Sequence, residues 1–378
     1  MLYTIYFICY IIYLFLLKSS KKRYYFKNNH TIYLLLDISF VKLSSKTFSN
    51  ISIGGCNMTI KNLTVAGSGV LGSQIAFQAA YKGMSVTIYD INDEALNKGK
   101  ERIKKLAKVY QSEIETAKEA YSDKAKSIKY NKNLLPSLDH IFLSKVADSL
   151  DLIADLPNQI TFSKNLDQAV SDADLVIEAV PETVSIKEDF YKQLAKVAPS
   201  KTIFATNSST LVPSQFADIT GRPDKFLAMH FANNIWQNNI VEIMGHKGTD
   251  DEVVKEALAF SKDIGMVPLH IHKEQPGYIL NSILVPFLES ALALYYNKVS
   301  DSETIDKTWK LGTGAPMGPL EILDIIGIDT AYNIMKNYSD TTSDPNSLHA
   351  HLAKMLKEEF IDKGRTGKAA GHGFYDYD

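Results

Sequence analysis

The chain has 378 residues, 45% of them hydrophobic and 22% charged, with a formal net charge of −2. That balance describes a packed globular protein with room for two domains of ordinary size. It excludes a general affinity for nucleic acid or anionic membranes, so an anionic substrate would need a local basic patch. The two cysteines, Cys9 and Cys56, both precede Met58. The rest of the chain therefore has no disulfide framework, no cysteine-ligated zinc and no cysteine nucleophile.

Residues 2–17 form an uncharged apolar run, LYTIYFICYIIYLFLL, followed by the basic cluster KSSKKR. As a helix this run would span about 24 Å, short of a hydrocarbon core of ~30 Å. No basic region precedes it, and no small-residue cleavage site follows. Three readings stand: a membrane anchor, a cleaved targeting segment, or a natural protein that starts at Met58 with the upstream codons not normally translated. The expectation is the third, because Met58 leads directly into TIKNLTVAGSGVLG, a compact start for a nucleotide-binding domain. In a bacterial source, Gly54-Gly55 could be the in-frame translation of a ribosome-binding sequence.

From Lys61 the pattern is regular. Leu63, Val65 and Ala66 belong to a short buried strand. Gly67-Ser68-Gly69-Val70-Leu71-Gly72 follows, then a helical stretch closed by Gly83 and a strand ending at Asp90. This is the G-x-G-x-x-G fingerprint in its proper setting. Gly67 permits the tight turn, Gly69 lets backbone approach a pyrophosphate, and Gly72 lets helix and strand pack closely. The helix start, with Val70 and Leu71, offers free N–H groups to the phosphates. Asp90 suits a ribose 2′-hydroxyl and repels a 2′-phosphate, so NAD is expected rather than NADP.

Residues 93–155 read as a solvated helical hairpin whose Lys/Arg excess could also help hold an anionic ligand. Strands and helices then alternate through QITFS, NLDQAVSDA, DLVIEAVPE, TVSIKEDFYKQLAKVA and TIFATNSST. That alternation predicts a doubly wound parallel sheet, with ligands beyond the carboxyl ends of its strands. The placement singles out Glu182, Lys187, Asn207, Ser208 and Ser209.

Lys225–Met229 reads as a strand ending in His230, and Ile240–Met244 as another with Glu242 inside it. An acid in an apolar strand is costly to bury unless paired, and a nearby histidine is a natural partner. The carboxylate would fix the imidazole tautomer and leave the other nitrogen free as a base. After helix DDEVVKEALAFSKDIG and strand MVPLHI, the chain is expected to turn helical at Glu274, with Pro276 in the first turn. Leu280, Ile283, Leu284, Phe287, Leu288 and Ala291 form an apolar stripe for a core or a dimer interface, and Asn281 sits just off it. GTGAPMGP reads as a loop before another apolar helix.

At this point the motifs GSGVLG, DLVIEAVPE, ATNSST, MHFAN, IVEIM, QPGYILNSILVPFL, GAPMGPLEILDIIGIDT and GHGFYDYD stand in one order. From Thr59 onward the chain resembles the L-3-hydroxyacyl-CoA dehydrogenases, including the short-chain 3-hydroxybutyryl-CoA enzymes. The resemblance implies a Rossmann-type α/β domain followed by an all-helical C-terminal domain, and NAD-dependent oxidation of a (3S)-3-hydroxyacyl-CoA in fatty-acid metabolism. It implies His230 as base, Glu242 as its orienting carboxylate, Ser209 on the reacting oxygen and Asn281 on the thioester region. Glu182 and Lys187 would match cofactor-side positions and Asn233 a cofactor or substrate contact, while Asn207, by its place at a strand end, is expected on the cofactor side. The expected division is a leader at 1–57, an NAD-binding domain with a helical-hairpin insertion at 58–272, and a substrate and dimerisation domain at 273–378. A cytoplasmic homodimer goes with it, with no nucleic-acid partner and no membrane contact unless residues 2–17 are an anchor. The chain departs from the family after the base, where Ala232, Asn233 and Asn234 replace a second Phe and Asn-Pro, and where Ser282 replaces an Arg. Carnitine or a sugar acid as substrate, or a non-catalytic dinucleotide-binding protein, are the alternatives.

Overall fold

The structure is a computed structural model that describes residues 25–26, 31–36, 39–44, 60–122, 140–342 and 344–377. The apolar run 2–17, Met58, and residues 123–139 of the helical insertion lie outside the described residues. The chain divides into two compact units, Met1–Asn57 and Met58–Asp378. In the first, strands β1 (Tyr25–Phe26), β2 (Thr31–Leu36) and β3 (Ser39–Ser44) form an antiparallel sheet.

Among the described residues, the second unit holds one sheet of eight strands. They are β4 (Asn62–Ala66), β5 (Ser85–Tyr89), β6 (Thr161–Ser163), β7 (Leu175–Glu178), β8 (Ile203–Thr206), β9 (Phe226–Phe231), β10 (Ile240–Gly245) and β11 (Val267–Ile271). Their order is β11-β10-β9-β8-β7-β4-β5-β6. β4 to β9 run parallel, while β10 pairs antiparallel with β9 and parallel with β11. The direction of winding reverses between β4 and β7, which opens a crevice at their carboxyl ends.

Both faces of the sheet are covered, so its central strands are buried at nearly every position and mostly apolar rather than alternating. On one face Leu63, Val65, Leu175, Ile177, Leu227 and Met229 pack against α1 (Val70–Tyr81), α2 (Asp93–Ser122), α3 (His140–Gln159) and α6 (Asp251–Asp263). On the other, Val176, Phe204 and Phe226 meet α4 (Leu166–Val170) and α5 (Val184–Val197), through Phe190, Tyr191 and Leu194.

A separate core joins α7 (Tyr278–Tyr296), α8 (Ser302–Thr313), α9 (Pro319–Ile326), α10 (Ile328–Thr342) and α11 (Leu348–Met355) around Leu292, Leu320, Ile328 and Leu352. One expectation needs correcting here. Pro276 does not sit in the first helical turn: Gly277 and Tyr278 both adopt left-handed φ, 78° and 55°, and α7 begins at Tyr278, within that reversal. The apolar stripe, expected to serve a core or a dimer interface, is divided between buried and exposed positions. Leu288 and Ala291 are buried, but Ile283 is 67% exposed and Leu280 37%.

Two buried carboxylates organise the helical layer. Asp306 on α8 accepts N–H bonds from Leu320 and Glu321 at the start of α9, and the Tyr375 hydroxyl. Asp324 on α9 accepts from the backbone of Phe374 and Tyr375 and from the Tyr377 hydroxyl, clasping the C-terminal segment. A Cβ on Gly373 would overlap the Asp324 carboxylate, so the GHGFYDYD motif serves this clasp. Gly373→Ala is expected to destabilise the helical layer by about 3 kcal/mol, from overlap and the hydrogen bonds it displaces. Gly312→Ala, on α8 with nothing near its Cβ, should be neutral or stabilise by up to about 1 kcal/mol. Urea unfolding of both variants checks this, and equal effects would contradict it.

Candidate active site and cofactor crevice

The glycine turn leaves β4 at the crevice. Gly67 has φ 112° and runs so close to the Ala179 carbonyl that a Cβ would collide with it. A Cβ on Gly72 would strike the Gly67 carbonyl, whereas Gly69 has open space where its side chain would be. The turn is therefore tight beneath and bare above, and α1 starts at Val70, which is 61% exposed, next to Leu71. Asp90, just past β5, accepts from Ser68 N at 2.8 Å, Ser68 Oγ at 2.6 Å and Ile91 N at 2.8 Å. Arg102 reaches from α2 to the Ser68 carbonyl at 3.0 Å. A cavity of about 790 Å³ lies over these groups, lined also by Pro181, Ile186 and Phe190. Bare Gly69, the free helix start and the carboxylate at the second strand's end together fit NAD. The diphosphate would lie at the glycine turn and the adenosine ribose at Asp90.

The acid–base pair is built by strand pairing. His230 and Glu242 are direct partners in the antiparallel ladder of β9 and β10. Directly opposed residues project to the same face, here shared with Ala228 and Met244. His230 Nδ1 lies 3.0 Å from Glu242 Oε2, and His230 Nε2 lies 3.2 Å from Ser209 Oγ. A carboxylate only accepts, so Nδ1 carries the proton and Nε2 presents its lone pair toward Ser209. The other Glu242 oxygen accepts from Ile279 N at 2.9 Å and Leu280 N at 3.0 Å, in the first turn of α7. Burial pushes the Glu242 carboxyl upward, but the His230 hydrogen bond and the Leu280 and Ile279 N–H groups outweigh it and hold it below the usual carboxylate range. Asn281, half-buried, is one residue further along this turn.

Ser209 is held by a second carboxylate. Glu182 Oε1 accepts from the Ser208 hydroxyl, Ser209 N, Thr210 N and the Thr210 hydroxyl. Its other oxygen lies 3.1 Å from Lys187 Nζ. Lys187 also meets Glu178 at 2.7 Å, and both of those side chains are at most 1% exposed. Glu178 takes further bonds from Tyr191 and Thr206. Burial tends to raise the Glu182 carboxyl, yet Ser208 and Lys187 hold it below the usual range. Lys187 thus faces the two glutamates, while the Glu182 side chain is 38% exposed. Asn207 is buried and accepts from Phe231 N at 3.0 Å, fastening the end of β8 to the residue after the base.

The loop after the base carries the departures noted in the sequence. Asn234 has φ 57°, which a proline ring cannot adopt. The backbone here therefore differs from any path through Asn-Pro. Gln74, buried on the cofactor helix α1, accepts from Asn234 N at 2.9 Å. Asn233 is exposed, with its carbonyl taking a bond from Asn238.

The structure thus brings together Ser209, His230 and Glu242, with Asn281 beside Glu242's donors. Gly67, Gly69, Gly72 and Asp90 are gathered separately at the crevice. Sequence reading missed Ser68, Gln74, Glu178 and Tyr278. An acidic residue inside DLVIEAVPE was a signal for Glu178; nothing in the sequence marked Gln74, whose partner is backbone 160 residues away.

The comparisons agree with this geometry. Residues 62–144 and 143–275 match the family described as 3-hydroxyacyl-CoA dehydrogenase, NAD binding domain, and residues 277–377 match its C-terminal domain. The chain is similar to a Bacillus subtilis (strain 168) protein named "Probable 3-hydroxybutyryl-CoA dehydrogenase", 31% identical over 85% of this chain and 99% of that one. It is also similar to the mitochondrial hydroxyacyl-coenzyme A dehydrogenase of Homo sapiens, 32% identical over 88% of this chain and 96% of that one. A solved diketoreductase, described as acting on dicarbonyl compounds, is 46% identical with a TM-score of 0.70, covering 84% of this chain and 99% of that one.

The two depressed carboxyls set an acid limit. Both are held below their ordinary values in the folded protein. Their stabilisation is therefore complete above the unfolded value of about 4.3 and is lost as pH falls through the folded values. Urea unfolding between pH 3 and 7 should show stability falling below about pH 4. Glu182→Gln should fall less steeply there, because an amide does not titrate. Parallel acid slopes in both proteins would contradict this.

Proposed function

Because the chain belongs to the 3-hydroxyacyl-CoA dehydrogenase family, we propose that its substrate is a (3S)-3-hydroxyacyl-CoA, converted to the 3-oxoacyl-CoA in fatty-acid metabolism. The observation that carries this reading is the buried His230–Glu242 pair with Ser209 on its free nitrogen. Bound NAD would supply the hydride acceptor for C3. His230 Nε2 takes the proton of the 3-hydroxyl, and Glu242 stabilises the imidazolium that results. Ser209 and Asn281 hold substrate oxygens, which fixes how C3 is presented. In the reducing direction the same imidazolium returns the proton to the carbonyl oxygen.

A second reading keeps this chemistry and changes the substrate to a dicarbonyl compound without CoA. Left-handed Asn234 beside the base and the 46% identity to the diketoreductase favour it. In either case a homodimer is the expected assembly. Its support is the apolar surface of the helical layer, where Ile283, Leu294, Leu311 and Ile325 are 67%, 44%, 78% and 53% exposed. A cytoplasmic setting goes with this reading. Helix α7 is long and apolar enough to cross a membrane, but its first turn binds Glu242 within the site.

A panel of 3-oxoacyl-CoA thioesters, simple dicarbonyl esters, carnitine and sugar acids, each with NAD(H) and NADP(H), tests the proposal. The highest kcat/KM is expected for a thioester with NAD(H). A dicarbonyl ester turned over more than about tenfold better than any thioester, a difference of about 1.4 kcal/mol in transition-state binding, would establish the second reading. Equal use of the two cofactors would contradict the role given to Asp90.

A further inference from the structure

Tyr278 is the first residue of α7, and its position is unusual in three ways. Its φ is 55°, and only Asn234 and Lys298 share a positive φ among the described non-glycine residues. A bulky aromatic residue there is strained. Its ring is fully buried and stacks on the His230 imidazole, with ring centres 4.4 Å apart and planes within 19°. Its hydroxyl is buried with no hydrogen-bond partner among the described residues.

These features have a common cause. Gly277, at φ 78°, and Tyr278 reverse the chain over two residues. The reversal lays the phenol ring over His230 and aims the next two N–H groups at Glu242. One turn of backbone thereby contacts the base on its face and the carboxylate on its far oxygen. Strain persists where the surroundings over-determine it, and both contacts do so here.

The hydrogen bonds at Nδ1 and Nε2 lie at the ring's edge. They fix two points of the imidazole and leave it able to swing about the line between them. A stacked ring removes that freedom. It also covers one face against water and presents π density to the cation that forms when the base takes a proton. The charged groups around the pair are Glu242 on β10, which meets His230, with Glu178, Glu182 and Glu274 acting on the phenol. Burial and then these carboxylates push the phenol well above its ordinary range, so the ring over the imidazole stays neutral.

We propose that Tyr278 is a positioning residue, whose ring face sets the plane of His230 and favours its protonated form during turnover. This rests on His230 being the base, so the test reads the contact both without turnover and with it. His230 is titrated by NMR in the cofactor-free protein, and the pH–rate profile for hydroxyl oxidation is measured in the same variants. In Tyr278→Leu the titration midpoint and the ascending limb of the rate should both move to lower pH, by about half a unit to one unit. The maximal rate should fall by about tenfold while the NAD dissociation constant is unchanged. Tyr278→Phe keeps the face and loses only the unpartnered hydroxyl, so it should restore both midpoint and rate. A midpoint unmoved by Leu would overturn the proposal, as would a Phe variant that behaves like Leu. If Leu moves the midpoint but not the rate profile, the base reading is wrong and the positioning role goes with it. If the Leu variant does not fold, the Phe variant alone decides, since any displacement of its midpoint contradicts a role for the face.

Discussion

The active site depends on one buried carboxylate shared between two structural layers. Glu242 lies in an interior strand and is 1% exposed. An isolated charge there would cost several kcal/mol. It is tolerated because one oxygen meets His230 and the other takes two N–H groups from the start of α7. The sheet contributes the base and the helical layer contributes the donors. Orientation of the imidazole, position of α7 and placement of Asn281 are therefore set by the same interaction.

Glu182 does the corresponding work on the other side of the base. It gathers the backbone and hydroxyl donors of the Ser208–Thr210 loop, so that Ser209 faces His230 Nε2. Lys187 on α5 anchors it in turn, and is itself held by Glu178 at the end of β7. Two held carboxylates thus fix a serine and a histidine that must stay within hydrogen-bond reach while a proton moves. The chain is an NAD-dependent oxidoreductase, and its cofactor crevice lies at the neighbouring strand ends, where winding reverses.

Much of this was legible in the sequence, for identifiable reasons. The sheet's period and its alternation with helices come from local hydrophobic pattern, which reads directly. Gly67, Gly69, Gly72 and Asp90 form a local motif whose spacing is fixed by a strand, a turn and a strand. His230 and Glu242 were recognisable because each is an odd residue in an apolar strand, and the antiparallel register then made them neighbours. Tyr278 was hidden because its role depends on a left-handed backbone that an aromatic side chain does not announce. Pro276 misled for the same reason, as it suggested a helix start two residues before the chain had turned. Gln74 and the donors from Ile279 and Leu280 act through backbone far away in sequence, which no local pattern encodes. Asn234 was noticed as a departure, but only its φ of 57° shows that the loop takes a path closed to proline.

The most direct measurement of the central claim is the pH dependence of turnover in Glu242→Gln, beside its NAD affinity. The amide keeps the shape but cannot offer the charge that favours the imidazolium. Turnover should fall, the ascending limb of hydroxyl oxidation should move to lower pH, and NAD affinity should stay as it was. An unchanged rate and profile would contradict the account, leaving Glu242 a structural acid and the base oriented by some other group.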